Sequence, residues 1–247
     1  MKIDHDLEFL NRCSNEDLKQ LCDLLTFDKK GRYRISEQLT NSDAYLQNYP
    51  DNMCGMTAEL AEELQKFGTN SIMTLIHDGR PDSYENIVRR VCKKMYIEVS
   101  NEDDAVTMER KLLERICEKS FNNMSDEELR SYAQEAGVFK KDLSKKALIA
   151  SLMIALRYSP RILKSVASRV LAHIISMLGN RAVTMAGFRV AQRVLGVATG
   201  PVGWIVLTAW SVWDLASPAY RIVVPAVLLI AIMRYSTAPK LEERRAA

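Results

Sequence analysis

Along the first 150 residues apolar side chains return every three or four positions, with polar residues between them. That is the period of helices with one face in a core. Ser14 stands before NEDLKQLCDLL with Asp17 three residues on, and Leu18, Leu21, Cys22 and Leu25 follow as one stripe. The pattern predicts a capping box opening an amphipathic helix. A second helix is expected from about Thr57 to Gly68, with Leu60, Leu64 and Phe67 on one face, then a short one carrying Ile72, Leu75 and Ile76. SYENIVRRVCKKM places Ile87, Val91 and Met95 together, and Asn101–Lys119 turns Met108, Leu112, Leu113 and Ile116 inward. Ser125 and Glu128 form another capping box, Gly137 is placed as a C-terminal cap, and Ser144 can cap the helix through LIASLMIAL. No sustained alternation flanked by hairpin turns predicts a strand.

Beyond residue 150 the pattern changes. Pro160 can open a helix whose stripe is Ile162, Leu163, Val166, Val170, Ile174 and Leu178, with Arg161, Lys164 and Arg169 off it. Gly179-Asn180 breaks it, and Arg181–Leu195 follows with Arg181, Arg189 and Arg193 in one polar sector. These are cationic amphipathic helices, suited to an anionic lipid surface or to acids of the first half.

Val194–Trp213 is twenty residues without a charge, enough for about 30 Å of helix. Gly196, Gly200, Pro201 and Gly203 interrupt it, leaving twelve clean residues, Val202–Trp213, which hold all three tryptophans, Trp204, Trp210 and Trp213. A second arm runs from Leu215 to Met233, with Pro218, Arg221 and Pro225 in its first part. Asp214 and Arg221 flank Ser217-Pro218 and could pair across that break. The two arms, 202–233, read as a helical hairpin. It could be the buried centre of a soluble domain, a hairpin stored there and released into a bilayer as in pore-forming bacteriocins, or a constitutive pair of spans.

Charge sharpens the division. Residues 1–150 hold 28 acids and 22 bases, whereas 151–247 hold 3 acids and 12 bases, net −6 against +9. The first region reads as an acidic helical regulatory or docking part and the second as a cationic apolar part. Low glycine and proline, 10 and 7, favour helix throughout. The N-terminus has acids where a secretion signal needs bases, and five widely spaced cysteines suggest reduced thiols in the cytoplasm.

The block GPVGW…DLASPAYRIVVPAVLLIAIMR resembles the C-terminal signature of the YaaW-like family of bacterial proteins. DLEFLNRCSNEDLKQLCDLLT and ELQKFGTNSI share that likeness, and Ala219, Tyr220, Arg221, Pro225, Ala226 and Val227 are its most specific core. The resemblance implies a helical bacterial protein. Some members are labelled as similar to ubiquinol-cytochrome c chaperones, and action at membranes in bacterial conflict or stress is a suggested role. It supplies no catalytic residue.

No phosphate-binding GxxxxGK[ST] loop, dinucleotide GxGxxG after a strand, HExxH or GxSxG is present. Asp103-Asp104 and Asp126-Glu127-Glu128 sit where acids favour a helix dipole. No enzyme, metal or cofactor is expected. SDEELRSYAQEAGVFKKDLSKKALIASL, with Leu129, Gly137, Lys145, Lys146 and Leu148, resembles SAP-type nucleic-acid modules; without an aromatic platform it ranks third, as binding through 125–152.

The sequence therefore predicts an all-α multi-helix bundle with a C-terminal apolar hairpin. It is expected in the cytoplasm, peripherally or conditionally at the inner membrane. Arg161, Lys164, Arg169, Arg181, Arg189, Arg193, Trp204, Trp210 and Trp213 would meet lipid, and Gly200, Pro201, Asp214, Tyr220, Arg221 and Pro225 form the structural motif. The alternative is a soluble chaperone-like or protein-interaction module whose hairpin is core. A protein partner or homo-oligomer fits either reading, and nucleic acid ranks behind both.

Overall fold

Caps and apolar stripes set the helices. The computed structural model describes residues 3–28, 30–34, 37–70, 82–138, 143–177 and 220–246. A 3-10 helix, His5–Arg12, leads into α1 (Asn15–Thr26), where the Ser14 hydroxyl accepts from the Asp17 amide at 3.1 Å. A 3-10 turn, Leu39–Asn41, short α2 (Asp43–Asn48) and a further 3-10 turn, Met53–Met56, precede α3 (Thr57–Asn70). α4 (Tyr84–Lys94), α5 (Ala105–Asn123), α6 (Asp126–Glu135), α7 (Lys145–Tyr158), α8 (Pro160–Met177) and α9 (Tyr220–Ala246) complete the order. Among the described residues there is no strand, only one isolated antiparallel bridge between Phe27 and Tyr33. The fold is all-α.

Local chemistry follows the sequence closely. Asp104 caps α5 and Ser125 with Glu128 forms a reciprocal box on α6. Gly137, at φ +75°, closes α6: its N–H bonds Gln134 O at 3.1 Å and the Val138 N–H bonds Ala133 O at 2.8 Å, the paired bonds of a Schellman cap. Gly68 departs from expectation, since α3 runs through it to Asn70. Its hydrogen lets α4 approach: a Cβ there would lie 2.4 Å from Ile87 Cδ1. The short helix expected around 72–76 lies outside the described residues.

α9 is the centre of the packing. Every residue from Ile222 to Met233 is buried, and α9 touches the first 3-10 helix, α1, α3, α4, α5 and α8. A helix that is apolar around its whole circumference can be satisfied only by such enclosure or by lipid. One apolar cluster accordingly runs from Leu7 and Leu10 through Leu64, Val91, Leu112, Leu152 and Val166 to Met233. The acidic first region and the cationic second region share this core. Pro225 lies buried within the continuous α9 helix, and its missing N–H deprives the Arg221 carbonyl of its usual intrahelical donor.

Candidate functional site

A charged group stands at the heart of this apolar packing. α5 must turn one face into the core, and Glu109 falls on that face between Met108 and Leu112. α9 ends its apolar run with Arg234. The two meet as a bidentate pair: Arg234 Nε donates to Glu109 Oε2 at 2.7 Å and Nη2 to Oε1 at 3.1 Å. Tyr84 Oη donates to the same Oε1 at 2.7 Å, and Arg234 Nη2 also reaches the Asp6 carbonyl at 2.8 Å. The guanidinium lies 4.1 Å from the Phe9 ring centroid, within cation–π range.

Burial pushes the Glu109 carboxyl above its usual range, and Arg234 and Tyr84 pull against that rise. For Arg234, burial weakens the hold on its proton, but the bonds and charge of Glu109 outweigh it and raise its pKa. Tyr84 is raised well above the ordinary phenol value, first by burial and then by Glu109. Three donors on one carboxylate suit its ionised form. The junction ties the chain's beginning, α4, α5 and α9 at one point, and it is a clamp whose polar atoms face one another. Removing one partner would strand a buried charge, which is costly.

A second polar link joins α1 to Tyr49. Lys19 Nζ donates to Asp23 Oδ2 at 2.6 Å and Tyr49 Oη to Asp23 Oδ1 at 3.0 Å. Cys13, Cys22, Cys92 and Cys117 are buried free thiols and Cys54 is an exposed one. Burial pushes Cys13 and Cys92 up to about 12, far from a reactive thiolate. Among the described residues no cluster could hold a metal.

The cationic residues named from sequence separate into groups. Arg161 is exposed and Lys164 half-buried on α8, whereas Arg169 lies over the Tyr132 ring at 5.2 Å. Tyr220 is half-buried with Lys94 Nζ 5.6 Å from its ring, Arg221 is exposed and Pro225 is core. Arg181, Arg189, Arg193, Gly200, Pro201, Trp204, Trp210, Trp213 and Asp214 lie outside the described residues, as does the first arm of the hairpin. Two bases of the cationic region find acids on α5: Arg234 takes Glu109, and Arg157 Nε takes Glu114 at 3.2 Å. In the segment read as a nucleic-acid module, Leu129 and Leu148 are core and Lys145 donates to Met124 O at 2.6 Å.

The Tyr84–Glu109–Arg234 junction was not singled out from sequence. Its signal is present nonetheless, in a glutamate on an apolar stripe and an arginine closing an uncharged run.

Comparison with known proteins places the chain. It is 32% identical over 245 residues to a UPF0174 protein of Helicobacter pylori strain J99, covering 99% of this chain and 96% of that one. The chain belongs to the UPF0174 family. The UPF0174 protein YaaW of Escherichia coli K12 is 30% identical over 237 residues, 94% of each chain, as the YaaW-like resemblance implies. Residues 1–35 match a domain of unknown function, DUF3944. No solved structure matches.

Proposed function

We propose that this UPF0174 protein is a non-catalytic, peripheral membrane protein: a helical body that keeps α9 as its core and meets anionic lipid through the acid-poor region around α8. The observation that carries the reading is the enclosure of α9. Tyr220–Thr237 is long and apolar enough to cross a bilayer, but 72% of it is buried. Moving α9 into lipid would leave the faces of α1, α3, α5 and α8 uncovered and would break the Arg234–Glu109 pair. Chain length points the same way. α8 and α9 pack on one another, so the chain leaves at residue 177 and returns at 220 to one body. It must then cross a membrane an even number of times. Two crossings need about 40 apolar residues, and the 42 residues numbered 178–219 include Arg181, Arg189 and Arg193. The proposed mode is therefore attachment in the interface plane. Arg161 and Lys164 with those three arginines supply the attraction, about 1 kcal/mol each.

All three tryptophans lie between residues 204 and 213, so selectively excited tryptophan fluorescence reports on that stretch alone. The full chain mixed with phosphatidylglycerol-containing vesicles should float with them at low salt, detach at high salt and shift its emission to the blue, without releasing trapped dye. Dye release would favour insertion of the hairpin instead. Absence of binding at every salt concentration would favour the soluble interaction module.

A further inference from the structure

α7 is apolar on two sides. Leu148, Leu152 and Leu156 face the core, yet Ile154 and Tyr158, one turn apart, are 56% and 86% exposed. Beside them, Arg110 of α5 donates to the Arg157 carbonyl at 2.6 Å, and Val106, one turn earlier on α5, is 42% exposed. Arg161 opens α8 on the outside of the same elbow. Exposed apolar side chains thus gather at the α7–α8 corner with three guanidinium groups, Arg110, Arg157 and Arg161. Arg110 and Arg157 share one carboxylate, Glu114, at 3.1 and 3.2 Å, and the nearby Asp103 is taken by Lys111. Among the described residues these three guanidinium groups have one carboxylate between them at the corner, with the exposed acids Glu102 and Asp104 beside Val106 at the start of α5.

We propose that this corner is the face of the folded body that rests on an anionic bilayer, with Ile154 and Tyr158 entering the headgroup boundary and Arg110, Arg157 and Arg161 meeting lipid phosphates. It rests on the peripheral-membrane reading above and assigns that contact to a defined surface. Lipid fits the chemistry because a tyrosine has an apolar ring and a wet hydroxyl, and arginine stems lie along hydrocarbon with the charge outward.

The test compares the full chain with an Ile154→Ser/Tyr158→Ser variant by flotation with phosphatidylcholine vesicles carrying a minority of phosphatidylglycerol. Losing two partly inserted side chains should weaken binding about tenfold, while the melting curve stays where it was. Equal binding by variant and wild type would overturn the corner and leave the peripheral reading standing. No binding by the wild type would overturn both. Independently, Tyr158→Cys in a Cys54→Ser background, labelled with a polarity-sensitive dye, should shift to the blue on adding vesicles; unchanged emission with bound protein overturns the assignment.

Discussion

α8 and the Tyr220–Thr237 part of α9 enter the sequence with the same credentials, since both are rich in valine, leucine and isoleucine with scattered bases and no acid. The fold treats them differently. α8 buries one stripe, Leu163, Val166, Ala167 and Val170, and keeps Arg161 outside. α9 buries its whole circumference from Ile222 to Met233 and turns its closing arginine inward onto Glu109. The lesson is that apolar content does not separate a core helix from a lipid-seeking one, whereas the arrangement of its charges does. A base at the end of an all-round apolar helix needs a buried acid, and α5 supplies it.

The comparison breaks most visibly at the centre of α9. Val227 is fully buried, and Val227→Asp places a carboxylate where nothing can pair with it. A loss of at least about 4 kcal/mol is expected, seen as insoluble expression or loss of the cooperative thermal transition. If α9 were held ready for release, the same change would leave a soluble, folded protein.

Next comes the junction. Arg234→Met should cost about 3–5 kcal/mol, because Glu109 is left charged and buried. Adding Glu109→Gln to that variant removes the stranded charge and should recover most of the loss in denaturant unfolding. Equal instability of the single and double variants would mean that packing around the arginine stem, not charge, holds the helix. Acidification gives a finer view of the same contrast. The folded-state pKa of Glu109 is raised, first by burial. Its stabilising contribution is therefore complete below the unfolded value, about 4.3, and is lost as pH rises through the folded one. Glu109 thus does not drive acid unfolding.

Asp104 works in the opposite direction. Hydrogen bonds from Thr107 hold its carboxyl below the usual range, so its contribution is present above about 3.9 and is lost as pH falls through its lower folded value. Asp104→Asn keeps a good α5 cap without the titration. It should match the wild type at neutral pH within about 0.5 kcal/mol and show a shallower stability loss below pH 4 by circular dichroism.

The helices, their caps and most inward faces were legible because each depends on residues within one turn: Ser125 with Glu128, Gly137 with Val138, and Leu112 with Ile116. The central place of α9 was one of three readings left open, since a run apolar on every side satisfies a lipid bath and a protein core equally. In the fold the run is enclosed and its closing arginine meets a partner 125 residues away in sequence, Glu109 to Arg234, and no local pattern announces such a pairing. Arg169 shows the same limit. Its position off the apolar stripe suggested an outward charge, yet it lies over Tyr132 of a helix that the stripe says nothing about.

The smallest expected effect lies on the outer side of α8. Arg161 is exposed and Lys164 half-buried, so Arg161→Gln with Lys164→Gln should change folding stability by no more than about 0.5 kcal/mol per site. On anionic vesicles the pair should matter more. Each base near such a surface contributes about 1 kcal/mol, and ions screen that attraction within about 10 Å at moderate salt. The double variant should therefore bind vesicles more weakly at low salt, and its affinity should fall less steeply as salt is added. A stability loss with unchanged vesicle binding would invert the assignment, making the outer face of α8 part of the scaffold and leaving lipid attraction without its proposed source.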